Sequence, residues 1–327
     1  MDLLSGLFLG KPGWMWAGFF AVVGLLIAFD LGVLHRKNRE IGVGESPRLS
    51  AFYVAAGVGF GGFVWWRLGP ASSVEYLTGF LVEKSLAMDN IFVIALIFGF
   101  FAIPRRLQHR VLFWGVLGVI LLRGAIILVG ATLVARYEWV LLAFAAFLVL
   151  TGLRMLWLAD HAPDLGRNPV LRFLRGRFPI TKRLHGDRFF VRLRTRGGAT
   201  LFLTPLFLAL VMIEFCDVVF AIDSVPAIFA ITTDPYVVFT SNIFAILGLR
   251  ALYFALAAVL HRFAYLKQAL AALLVFIFGK VFVAEALGWE KFPTEWSLAI
   301  TVTILAAGVG WSLRRTRGEA AAAVDAR

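Results

Sequence analysis

Cysteine is almost absent from this chain: Cys216 is the one thiol among 327 residues. That excludes a disulfide framework and any multi-cysteine zinc site. Charge is scarce too, at 16% of residues against roughly 25% in soluble domains. Acids are scarcer than bases, with 20 Asp and Glu against 32 Lys and Arg and a net charge of +12. The signatures G-x-S-x-G, Walker A and H-E-x-x-H are missing, so neither an enzyme nor a resident cofactor is expected. His35, His109, His161, His185 and His261 fall at helix edges or in a basic loop, away from the acids discussed below. Zinc chemistry is therefore not expected. Gly59-Phe-Gly61 reads as close helix packing rather than nucleotide binding.

Apolar residues are abundant, at 61%. One soluble core of this length cannot absorb that excess, which excludes a disordered chain, a collagen-like chain and almost any soluble enzyme. In a soluble protein the positive charge would point to nucleic acid. Here it reports orientation in a bilayer, and no nucleic-acid partner is expected.

Nine apolar runs are long enough to cross hydrocarbon: 14–34, 50–67, 75–102, 111–135, 138–158, 200–231, 236–260, 266–288 and 295–313. No period-2 alternation recurs at the spacing a membrane barrel needs. The expected class is an all-α, polytopic membrane protein of about nine transmembrane helices. Basic residues crowd alternate loops: Arg36, Lys37, Arg39 and Arg48; Arg105, Arg106 and Arg110; the segment 159–198; Arg262 and Lys267; and Arg314, Arg315 and Arg317. The intervening loops are poor in them. The positive-inside rule then puts the N-terminus outside and the C-terminus in the cytoplasm. The first run is too long for a cleaved signal peptide and carries Asp30. Trp14, Trp16, Trp65, Trp66, Trp139, Trp289 and Trp296 lie near expected helix ends, as interfacial anchors do. The basic 159–198 loop reads mainly as a topology determinant, with anionic lipid as the alternative.

The interior holds a repeat. Glu83-Lys-Ser-Leu-Ala-Met-Asp89-Asn90 and Asp217-Val-Val-Phe-Ala-Ile-Asp223-Ser224 share an acid, five residues, an Asp and a small polar residue. One helix later, eight positions separate Gly115 from Arg123 and Asn242 from Arg250. On the charge-derived topology the two copies are inverted three-helix repeats, 75–158 and 200–288. Residues 1–70 supply two preceding helices, 159–198 the basic loop, and 289–327 the last helix and tail. Inverted repeats place a substrate site near the midplane, where the halves meet.

Six carboxylates fall within these runs: Asp30, Glu83, Asp89, Glu214, Asp217 and Asp223. At roughly 2.5–3.5 kcal/mol each at a helix centre, they cost on the order of 15–20 kcal/mol together. Compensation must come from a cation, a proton or a base, and the intramembrane bases are Lys84, Arg123, Arg250 and Lys280, with Arg154 near an end. Structural ion pairs through Arg123 and Arg250 are the bland alternative. Carboxylates beside Asn90, Ser224 and Asn242 suit hard divalent cations, with Mg²⁺, Ca²⁺ and Mn²⁺ all open. Cys216 reads as a small apolar filler and Met88 as packing, although its thioether would favour Mn²⁺ over Ca²⁺. Positions six apart lie about 120° apart and about 9 Å along a regular helix, so closing them on one ion needs a break or convergence of two helices. Pro226 is expected to kink the sixth helix. An intramembrane aspartyl protease would also pair acids, but they would share one water, whereas here they come with oxygen donors in both repeats.

The motifs from Glu83 to Asn90 and from Phe220 to Phe229, followed by Thr240-Ser-Asn242-Ile-Phe-Ala-Ile-Leu-Gly-Leu-Arg250, resemble the TerC family of membrane proteins, nearest its Alx-type bacterial members. Asp30-Leu-Gly-Val-Leu-His35-Arg36 is similar to that family's first helix. The resemblance covers 14–313 and implies an inverted-repeat exporter similar to LysE, working on Mn²⁺ in the bacterial cytoplasmic membrane. Some members are linked to tellurite resistance or alkaline-pH response. The resemblance carries an ion site onto Glu83, Asp89, Asn90, Asp217, Asp223 and Asn242, with Asp30 and Glu214 as weaker candidates. Arg123 and Arg250 are expected to compensate charge. A membrane scaffold and a Ca²⁺ or Mg²⁺ transporter are the alternatives. The expected partners are a divalent metal ion and the bilayer.

Overall fold

The computed structural model describes residues 6–34, 45–150 without 138, 141, 145, 148 and 149, then 168–195, 198–257 and part of 272–311. Within these, the side chains at 31–34, 88, 89, 92, 195, 198, 223, 256 and 257 are not described. Most of the expected spans at 138–158 and 266–288, the first part of the basic loop and the tail lie outside the described residues.

The chain opens with a short hairpin, β1 (Leu7–Phe8) on β2 (Lys11–Pro12). Four long helices follow: α1 (Gly13–Leu34), α2 (Glu45–Leu68), α3 (Pro70–Phe100) and α4 (Arg105–Arg136). A short helix α5 (Pro169–Arg177) precedes a second hairpin, β3 (Phe190–Thr195) on β4 (Gly198–Leu203). Then come α6 (Pro205–Phe229), α7 (Pro235–Ile246) and α8 (Leu249–Ala257). Among the described residues, five segments are long and apolar enough to cross a bilayer. The all-helical membrane class is thereby borne out. The apolar excess lies on outward faces, where Leu25, Leu121, Val129 and Ile222 are exposed.

Local chemistry sets the helix starts. Gly69, at φ +91°, makes the tight turn between α2 and α3, and Pro70 opens α3 where no donor is needed. Asp234 caps α7 by accepting from the Tyr236 and Val237 N–H groups, with Pro235 in the first turn. The helix expected from 200 starts at Pro205, because 198–203 pair with 190–195 instead. Pro226 lies inside α6, which continues to Phe229.

Two expectations need correction. The run 236–260 is not one helix: it breaks at Leu247–Gly248, where Gly248 has φ +78°. The Lys84 ammonium stabilises the break by donating to the Ala245 and Leu247 carbonyls at 2.9 and 3.2 Å, groups a helix C-terminus leaves open. By contrast α3, where the 75–102 run implied tilt or a break, is continuous over 31 residues. Trp16 is not an interfacial anchor. It is buried against Tyr236 and Phe239, and its indole N–H donates to the Phe8 carbonyl. Trp65, Trp66, Trp139 and Trp296 are exposed, while Trp289 lies outside the described residues.

Helix packing is close where side chains are missing. A Cβ on Gly57 would lie 2.5 Å from Phe80, and one on Gly61 would lie 2.9 Å from Leu77. The α2–α3 seam therefore uses glycines four apart. Gly59 meets nothing, so the packing face is Gly57/Gly61. Beyond this seam α3 packs along α7, and α4 packs along α6. Two hydrophobic clusters result. One gathers Phe19, Tyr76, Phe80, Ile127, Phe229 and Tyr236. The other gathers Ile94, Phe98, Val111, Leu206, Met212 and Tyr253.

A candidate ion site built on a buried arginine

Each of α3, α4 and α6 passes from one hydrophobic cluster to the other, and each carries charge at the changeover. On α3 the changeover lies between Phe80 and Ala87, on α4 between Leu112 and Ile127, and on α6 between Ile213 and Ala221. Glu83, Arg123 and Asp217 occupy those intervals and meet.

Arg123 stands at the centre, 1% exposed, against Glu83 at 0%. Its Nε and Nη2 donate to the two Asp217 oxygens at 3.2 and 2.9 Å, a bidentate fork. Its Nη1 donates to Glu83 Oε1, to Ser224 Oγ at 3.3 Å and to Asn242 Oδ1 at 3.2 Å. Asn90 Nδ2 donates to Asp217 Oδ1 at 3.5 Å. Three helices, α3, α6 and α7, thus bring two carboxylates, one amide and one hydroxyl to a guanidinium carried by α4, and the Asn90 amide braces Asp217. The convergence needs no break in α3, since α3 and α6 bring one acid each.

The balance of charge is uneven. Two carboxylates face one guanidinium, and Glu83 Oε2 is buried with no hydrogen-bond partner among the described residues. The polar groups other than Arg123 form an all-oxygen acceptor set of the kind that holds hard cations. In this arrangement Arg123 is the cation it holds. Among the described residues, no three His, Cys, Asp or Glu side chains form a metal-holding group.

The structure therefore brings together Glu83, Asn90, Asp217 and Asn242 from the expected ligand set. Asp89 and Asp223 sit in α3 and α6, one residue before Asn90 and Ser224, and their side chains lie outside the described ones. Arg123 is ion-paired to Glu83 and Asp217. Arg250 is also buried, at 2% exposed, but its partner is Asp30: Nη2 lies 2.8 Å from the carboxylate and 3.1 Å from the Asp30 carbonyl. That pair ties α8 to α1. Glu214 joins neither arginine. Among the described residues, both its oxygens are buried without hydrogen-bond partners, against the face of α4 at Gly115 and Gly118. Sequence reasoning missed the capping role of Lys84, because its acceptors lie more than 160 residues away.

Comparison with known proteins agrees with this architecture. The profile of the integral membrane protein TerC family matches residues 68–319. An uncharacterized membrane protein, STKORF319, of Myxococcus xanthus is 42% identical over 97% of both chains. One from Rickettsia bellii is 43% identical over 92% of this chain and 97% of its own. The putative membrane-bound redox modulator Alx of Escherichia coli is 40% identical over 89% of this chain and 91% of its own. No solved structure matches the chain significantly. The chain belongs to the integral membrane protein TerC family, and it is a multi-pass membrane protein.

Proposed function

We propose that this TerC-family protein exports Mn²⁺ across the bacterial cytoplasmic membrane by alternating access, with no enzymatic step and no resident cofactor. The observation that carries the reading is the buried Glu83–Arg123–Asp217 group with Asn90, Ser224 and Asn242 around it. Such a group in hydrocarbon is costly. A site that must take a divalent cation, release it and reorient empty accounts for that cost. Arg123 supplies the positive charge when the ion is gone, and counter-transport of protons would help to balance the cycle.

The packing supports an internal repeat, and the apolar runs and loop charges support a nine-helix chain with its N-terminus outside, which would make that repeat inverted. A two-fold exchange of α3 with α6 and of α4 with α7–α8 turns the α3–α7 contact into the α6–α4 contact. Those are the two most extensive helix pairings among the described elements. Rocking of one half against the other would then expose the group to each side in turn.

A membrane scaffold is the second reading, favoured by Arg123 satisfying both acids as a structural ion network would. The redox role in the Alx relatives' name has little to work with here, since Cys216 has no second thiol for a dithiol couple. Uptake of radioactive Mn²⁺ into vesicles holding the purified protein separates the readings, with Ca²⁺ and Mg²⁺ as competitors. Mn²⁺ uptake is expected, and Asp89→Asn and Asp223→Asn are expected to abolish it while inserting at normal abundance. Full flux in either variant would remove those aspartates from the site, and a wild-type protein that moves no cation would leave the scaffold.

A further inference from the structure

Among the described residues, the two buried carboxylate oxygens of Glu214 have no hydrogen-bond partner, and they lie about one helical turn from Asp217, which a buried guanidinium already holds. Glu214 lies three positions before Asp217 on α6, so the two acids share a face. Its carboxyl group sits on α4: a Cβ on Gly118 would lie 2.3, 2.5 and 2.6 Å from Glu214 Oε1, Cδ and Oε2. Glu214 precedes Asp217 by about 4.5 Å of helix rise on α6. Long helical side chains lean toward the N-terminus of their own helix, which for Arg123 is the end of α4 where Gly118 lies. The absent side chain at 118 lets the Glu214 carboxylate rest against α4 at that level. Arg123 thus has one filled berth on α6, at Asp217, and one empty berth a turn away, at Glu214.

We propose that Glu214 is the second docking carboxylate of Arg123, a positioning residue that receives the guanidinium when a divalent cation takes Glu83 and Asp217. The proposal rests on the cation-transport reading and adds where the internal cation goes. A buried guanidinium displaced with no acceptor would resist displacement, and the incoming ion would bear that cost. With Glu214 as acceptor, Arg123 gives up Glu83 and Asp217 to the metal and keeps one carboxylate as counter-charge.

The test is a double-mutant cycle on Mn²⁺ affinity, measured by calorimetry on the purified full chain. Glu214→Gln is expected to weaken binding on the order of tenfold, the worth of one charged hydrogen bond. In an Arg123→Gln background the same change is expected to have no effect, because there is no guanidinium to relocate. An equal penalty in both backgrounds would make Glu214 a direct ligand and overturn the proposal. A loss of thermal stability with unchanged affinity would make it structural and overturn it as well. If Arg123→Gln does not fold, Gly118→Ala replaces it: its Cβ crowds the berth, and its penalty is expected not to add to that of Glu214→Gln. Additive penalties would reject the shared role. A wild-type chain that binds no divalent cation defeats the transport reading and this proposal together, whereas binding with an equal or absent Glu214 effect defeats this proposal alone.

Discussion

Arg123 concentrates the energetic risk of the molecule in one side chain. It carries the positive charge for two acids, and Glu83 is wholly buried. Removing one member of a buried charge group leaves the others uncompensated, at about 3–5 kcal/mol. Arg123→Gln is therefore expected to lower the unfolding temperature of the detergent-purified protein sharply, and Mn²⁺ is expected to restore part of the loss. Thermal unfolding with and without the ion checks this, and a variant as stable as the wild type would show that the network is not needed for folding. Arg250, which the proposed repeat would match to Arg123, holds Asp30 on α1 instead.

At the scale of elements, the break between α7 and α8 is the feature that departs most from a uniform bundle. Gly248 tolerates its positive φ, and a Cβ there would lie 2.6 Å from the Tyr53 side chain. Gly248→Ala is thus expected to destabilise by about 2–4 kcal/mol through backbone strain and overpacking. Lys84→Met is expected to loosen the same place by leaving the Ala245 and Leu247 carbonyls without their donor. Hydrogen exchange at 247–252 reads both effects, and unchanged protection in the two variants would mean that the break is held by something else. The run 236–260 gave no warning of this, since it is long and mostly apolar on both sides of Gly248, one of 31 glycines in the chain. The break is fixed by Tyr53 on α2 and Lys84 on α3, which only tertiary packing brings near.

For the whole molecule, orientation is the property most open to direct measurement. Reporter fusions are expected to place residue 180 and the C-terminus in the cytoplasm and residue 234 outside. A reporter at 180 active on the outer side would reverse the sense of the helices and remove the inversion of the repeats. Hydropathy determined the membrane class and the long helices of the N-terminal half, because each is set by a run of consecutive residues meeting lipid, and the motifs around Asn90 and from Phe220 to Arg250 pointed to the family. The acids at Glu83 and Asp217 were legible too, since a charge in an apolar run stands out without any fold. Only the tertiary structure decided that Arg123 joins those two acids, that Arg250 turns to Asp30, and that Glu214 stands alone against Gly118. The physical reason is that the price of a charge in hydrocarbon is a property of one residue, whereas its neutralisation depends on which helices lie side by side.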